Sequence, residues 1–278
     1  MLQGLVAVNG IVQHRRGLAG HARWLLIGAF AIAAYPLAFY TSMRWAGVAV
    51  GTVVSIGSAP VVSALVERVV DGDRLSRRWS IGTALGVAGA VLLCLAQREP
   101  GEQAPAPLAG IALGVVAGLT YALYSFAARR VMHGGVPRGP AMGALFGLGG
   151  ILLVPVLLAT GASVLATPQA LGVTAYMAIV PMFAGYLLFG AGLWRLRSST
   201  ATTLSLAEPL VAAILAVLVV HERLPMLGWV GVGLIGCCLL VVVVKTTPSR
   251  HVRSIAVRAG MREHAALAQS VERFTRNE

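Results

Sequence analysis

Long apolar runs punctuated by short charged or turn-forming segments set the pattern of this chain. Eight runs stand out: Trp24–Met43, Ala46–Val66, Trp79–Ala96, Leu108–Ala128, Ala141–Ala159, Ala170–Trp194, Ala201–Val220 and Met226–Val244. A bilayer core of about 30 Å takes roughly 20 apolar residues in a helix, and the runs cluster around that length. Seven of the eight hold no Asp, Glu, Lys, Arg or His. Lipid offers no partner to the backbone of an open strand, so the runs are read as helices. The expected fold class is an all-α integral membrane protein with about eight transmembrane helices.

The polar segments between the runs alternate in charge. One set holds Arg15, Arg16 and Arg23, then Arg68, Arg74, Arg77 and Arg78, then Arg129, Arg130 and Arg138, then Arg195 and Arg197, and finally a basic tail from Lys245 onward. The other set holds only Arg44, Arg98 and Arg223. Basic loops stay on the cytoplasmic side. The pattern therefore predicts a multi-pass protein of the cytoplasmic (inner) membrane with both termini in the cytoplasm. An extra or missing crossing would scramble the alternation.

Composition agrees with that reading. Of the 278 residues 57% are hydrophobic and 12% are charged, where a soluble domain carries roughly a quarter charged. The net charge of +12 is spread over short gaps rather than gathered on one face, so nucleic acid is not an expected partner. Membrane lipid is. Cys94, Cys237 and Cys238 lie inside apolar runs without metal-ligand spacing and are read as packing residues. No metal and no cofactor are expected.

Segment 53–94 resembles segment 202–243 in one register. Pro60 matches Pro209, Ala64 matches Ala213, Asp73-Arg74-Leu75 matches Glu222-Arg223-Leu224, and Gly82 matches Gly231. The two copies lie an odd number of crossings apart, so they enter the membrane in opposite senses. Inverted repeats are a recurring design of secondary transporters, with substrate held near the midplane between the halves. The plainer alternative is that two Gly/Ala-rich helices look alike by composition.

Ser55-Ile56-Gly57-Ser58-Ala59-Pro60 with its Asp-Arg-Leu loop resembles the first repeat of the drug/metabolite transporter superfamily, EamA-domain type. Leu206-Ala207-Glu208-Pro209-Leu210 with His221-Glu222-Arg223-Leu224 resembles the second repeat, as do Tyr121-Ala122-Leu123-Tyr124-Ser125 and the stretch from Val180-Pro181 to Tyr186. The resemblance covers roughly 24–244. It implies a ten-helix fold of two inverted five-helix repeats, of which this chain holds most. Members export or exchange small metabolites and toxic compounds without ATP. The implied organisation is a remnant of an upstream helix with a basic loop over 1–23, an incomplete first repeat over 24–96, a proline-rich linker over 97–107, a second repeat over 108–244, and a basic cytoplasmic tail over 245–278. The front departs from the family pattern. Leu2–Val12 is apolar, but it ends at His14-Arg15-Arg16 and is too short to cross the bilayer. It reads as the inner end of an upstream helix, with a start before Met1 or a fragment as the two explanations. A signal peptide is the alternative, though no basic residue precedes the apolar stretch.

Glu208 is the one ionisable residue inside the eight runs. It stands roughly 10 Å into its run at 1.5 Å per residue. An acid at that depth is costly and faces a cavity or a partner; proton coupling or amine binding is the functional reading, and a carboxylate held by helix hydroxyls for packing is the other. Pro209, Pro60, Pro36 and Pro181 are hinge candidates, because each removes a backbone N–H inside a helix. For Pro209 and Pro60 the carbonyls left over are those of Ser205 and Ile56. Tyr35, Tyr121, Tyr124 and Tyr186 bring amphipathic rings that either line a cavity or form a belt or packed core. Ser205, Ser55 and Ser58 could bind a polar solute or serve a tight helix interface. The GxxxG runs Gly82…Gly86, Gly110…Gly114…Gly118 and Gly143…Gly147 invite close helix approach.

The leading function is a secondary transporter, an exporter of a small metabolite or drug-like solute working by alternating access. A small-molecule substrate, proton coupling and a homodimer are the expected partners and couplings. A non-transporting scaffold or truncated inactive fragment is the alternative from another class. A membrane-embedded enzyme is the third, disfavoured because Asp71 and Asp73 are the only clustered acids and they sit among arginines.

Overall fold

The structure, a computed structural model, describes residues 15–72, 75–96, 104–162, 167–219, 221 and 224–243. The described residues all belong to one packed unit within 1–245. Leu2–Val12, the Asp73-Arg74 and Glu222-Arg223 pairs, most of the linker and the basic tail lie outside them.

Every regular element among the described residues is helical. In chain order they are α1 (Arg15–Gly20), α2 (Ala22–Ala46), α3 (Val48–Asp71), α4 (Arg77–Ala96), α5 (Pro107–His133), α6 (Arg138–Thr160), α7 (Pro168–Met177), a wider-wound π segment (Ala178–Gly185), α8 (Tyr186–Arg195), α9 (Ser198–Leu204), α10 (Ala207–Val219) and α11 (Met226–Val243). Eight of the described helices are long and apolar enough to cross a membrane, with α7 through α8 forming one and α9 with α10 another. They coincide with the eight apolar runs, extended by a few residues at most ends.

Local chemistry sets the ends. Pro107 and Pro168 open α5 and α7 at positions where a missing N–H costs nothing. Thr167 caps α7, its hydroxyl accepting from Ala170 N at 3.1 Å. Gly47 alone connects α2 to α3 at φ 88°, a conformation that glycine reaches without a Cβ clash.

Packing is carried by small residues, as in other membrane bundles where lipid removes the hydrophobic drive between helices. α5 is the central helix. A Cβ on Gly110 would stand 2.5 Å from the backbone N of Ala46, and Gly118 seats α3 at Ser55 and Ser58. Across the first of these contacts Ser42 donates to the Gly110 carbonyl at 2.7 Å. α4 and α11 run antiparallel with their backbones touching. Gly82 faces Val242, Gly86 faces Cys238, Gly89 faces Gly231 and Ile235, and Gly231 faces Leu93. The outer surface is apolar: Phe30 is 69% and Leu158 81% exposed, as suits a lipid-facing wall.

Polar contacts gather the arginine-bearing ends on one face. The Arg130 guanidinium pairs with Asp71, joining the ends of α5 and α3. Arg78 Nε donates to the Val241 carbonyl at 2.8 Å and Arg129 Nε to the Leu196 carbonyl at 3.0 Å. At the opposite ends, Ala106 N donates to the Trp45 carbonyl at 3.2 Å.

Candidate functional site

The seventh crossing is broken in its middle. Pro209 has no N–H to give the Ser205 carbonyl. That carbonyl instead accepts from Glu208 N at 3.0 Å, a tighter turn, and α9 ends where α10 begins. The carbonyl that proline leaves over is therefore reclaimed rather than left open. Glu208 sits in the first turn of α10, where helix N–H groups favour a negative side chain. Its side chain is exposed.

Beside this break stands a group of aromatic rings. Tyr35 and Tyr121 have ring centroids 5.6 Å apart, Tyr121 and Tyr124 5.2 Å, Tyr124 and Tyr186 6.2 Å, and Tyr186 and Phe146 4.6 Å. Phe189 packs against Tyr121 at 6.0 Å. Four elements supply these rings: α2, α5, α6 and α8. The Tyr121 hydroxyl and the Ser205 hydroxyl share a hydrogen bond of 2.7 Å, which ties the nest to the last turn of the broken helix. The carboxylate of Glu208 lies within electrostatic reach of Tyr35, Tyr121 and Tyr186. The Tyr124 hydroxyl is buried with no hydrogen-bond partner among the described residues.

The structure thus brings together Tyr35, Tyr121, Tyr124, Tyr186, Ser205 and Glu208. Ser55 and Ser58 lie on α3, against Gly118 of α5. Ser55 donates to the Gly51 carbonyl at 2.7 Å and Ser58 to the Ser55 carbonyl at 3.3 Å, both on their own helix against α5. Of the four prolines, Pro209 and Pro181 fall at interruptions, the helix break and the π segment, whereas α2 and α3 continue through Pro36 and Pro60. No cluster of metal-ligating side chains occurs among the described residues.

Two charged residues escape a reading by apolar runs. Glu67 is 1% exposed near the end of α3, and Arg129 is 9% exposed near the end of α5. Both sit just past the apolar runs, where they pass for loop charges. The signal for Glu67 was spacing: Gly51, Ser55, Ala59, Ser63 and Glu67 recur at every fourth position and are all buried, so the acid continues a packing stripe. Phe146 and Phe189 carry no such signal and join the nest through the fold alone.

A membrane bundle with an interrupted helix and an acid at the break is an arrangement that recurs in secondary transporters. Known proteins point the same way. The model of the EamA-like transporter family matches residues 108–244. The Bacillus subtilis (strain 168) protein called "Uncharacterized transporter YwfM" is 34% identical over 218 residues, covering 78% of this chain and 72% of that protein. A solved crystal structure superposes with a TM-score of 0.67 at 21% identity over 85% of each chain, a likeness of fold alone. This chain belongs to the EamA-like transporter family and is a multi-pass membrane transporter of the drug/metabolite type.

Proposed function

We propose that the chain is a secondary transporter that exports a small metabolite or drug-like solute across the cytoplasmic membrane, with both termini in the cytoplasm and no enzymatic step. The observation that carries this reading is the exposed Glu208 at the helix break beside the tyrosine nest. A solute with a protonated amine and a flat apolar body fits that chemistry, since the carboxylate complements the charge and the ring faces attract a cation. The same carboxylate could exchange a proton for the solute, which couples export to the proton gradient. A homodimer is compatible with the broad apolar wall.

Alternating access between two inverted halves is the proposed mechanism. Support comes from the α4–α11 seam. If Gly82 is equivalent to Gly231, then Leu93 is equivalent to Val242, and the Gly82–Val242 contact is the image of the Gly231–Leu93 contact. The Gly86–Cys238 contact is likewise the image of the Ile235–Gly89 contact. A two-fold relation through the middle of both helices accounts for both pairs, as inverted repeats require.

The test is export profiling of cells that express the chain or its Glu208→Gln variant at equal membrane levels. Export of at least one amine-bearing solute with the native chain and its loss with the variant is the expected result. Identical profiles would remove Glu208 from the mechanism, and no solute exported by either would favour a non-transporting scaffold.

A further inference from the structure

The two halves of the seventh crossing are packed in opposite ways. In α9 the residues Ser198 to Thr203 are all buried, whereas in α10 only Ala213 is, and Val211, Leu215, Leu218 and Val219 are each more than half exposed. The packed half lies toward the arginine-rich face. What packs it is polar. The Glu67 carboxylate, from α3, accepts from the Ser199 backbone N–H at 3.2 Å and from the Ser199 hydroxyl at 2.6 Å. Three residues back, the Leu196 carbonyl accepts from Arg129 of α5. From α4, Trp79 Nε1 donates to the Ser199 carbonyl at 3.4 Å, and the Thr83 and Thr203 hydroxyls meet at 3.1 Å. Opposite charges from two helices therefore grip the two ends of the Leu196–Ser199 turn.

A carboxylate buried this deeply is costly to keep and more costly to leave unpaired. Simple packing would be served better by an apolar residue. The hydroxyls of Ser63, one turn before Glu67 on the same stripe, and of Ser198 are also buried, with no hydrogen-bond partner among the described residues. Buried polar groups in excess of their partners call for a reason. A surface that separates and meets water in a second conformation supplies one, because each of these groups is then hydrated.

From this arrangement we propose that Glu67 and Arg129 form a latch that shuts the arginine-rich face of the transport path. The path opens to that face when the Glu67–Ser199 contact breaks and α9 leaves α3. The inference rests on the alternating-access reading above. Glu67 acts as a positioning residue: it holds α9, whose far end carries the Ser205 hydroxyl onto Tyr121, and it touches no solute.

The test reads opening without reading transport. In proteoliposomes of the full chain, Ser198→Cys introduces a one-atom change at the hydroxyl that has no partner among the described residues. A membrane-impermeant maleimide is applied from the arginine-rich face. Modification at position 198 is followed by peptide mass spectrometry, so the native cysteines stay in place. Loss of a charge-assisted hydrogen-bond pair corresponds to about ten-fold or more in an equilibrium. Glu67→Ala is therefore expected to speed labelling about ten-fold, Ser199→Ala to speed it several-fold, and Glu67→Gln, which keeps the shape and can bond both Ser199 groups, to fall nearer the native rate. Unchanged labelling in Glu67→Ala and Ser199→Ala overturns the latch. If Glu67→Ala fails to insert, Ser199→Ala decides alone. Because labelling needs no substrate, a failed latch leaves the Glu208 export result standing, and a failed export result leaves the labelling rates interpretable.

Discussion

At the scale of single residues, the tie between Tyr121 and Ser205 is the contact most open to measurement. It joins α5 to the broken seventh crossing by one short bond. Tyr121→Phe and Ser205→Ala each remove one hydroxyl, and a double-mutant cycle on detergent unfolding isolates the pair. We expect a coupling of about 0.5–1.5 kcal/mol, with the double variant less destabilised than the sum of the singles; strict additivity would mean that the bond contributes nothing. Glu208 makes a different demand. Its side chain is exposed at the break, so Glu208→Gln should leave the unfolding temperature within about 2 °C of the native value while export and its pH dependence are lost. A large drop in stability would return the residue to a packing role.

Helix pairs tell apart glycines that share the same spacing in the sequence. Gly82, Gly86, Gly110, Gly114 and Gly118 all lie within van der Waals reach of a neighbouring helix, whereas a Cβ on Gly147 would meet nothing within 4 Å. GxxxG spacing thus marks two real seams, while Gly147 faces open space. Gly89, outside any GxxxG run, is also tight against backbone, with its Cβ position 2.7 Å from the Gly231 carbonyl. Gly89→Ala should destabilise by about 1–3 kcal/mol through overpacking, and Gly147→Ala should be neutral or slightly stabilising in the same unfolding assay. Helix identity was legible because a 20-residue apolar run has one way to satisfy its backbone in lipid. The interruptions were only partly so. Four prolines offered four candidate breaks, yet α2 and α3 continue through Pro36 and Pro60. Glu67 was missed for the converse reason: hydropathy ends a crossing at the first charge, while the helix and its buried stripe run on.

For the whole molecule, the arginine pattern and the packing give the same partition of ends. Asp71 meets Arg130, Val241 meets Arg78 and Leu196 meets Arg129 on one side, and Ala106 meets Trp45 on the other. Cysteines placed at Ser76 and Gly139 should therefore react with an impermeant maleimide from the same side of the membrane, and one at Pro105 from the opposite side. Ser76 and Gly139 labelling from opposite sides would break both the topology and the mirrored-halves mechanism. The nest itself was legible as a set of tyrosines but not as a place. Tyr35 and Tyr186 are far apart in the chain, and only the crossing of α2, α5 and α8 sets them around one centre.

The π segment, finally, sets the rotational phase of α8. Ala178–Gly185 winds more slowly than an α-helix. Rewound as α, the same eight residues would swing Tyr186 and Phe189 around the helix axis by a large fraction of a turn, at about 100° per α-helical residue. The aromatic nest would then lose one wall without any helix changing its neighbours. A third of the ring cluster is thus keyed to the pitch of a single stretch of backbone.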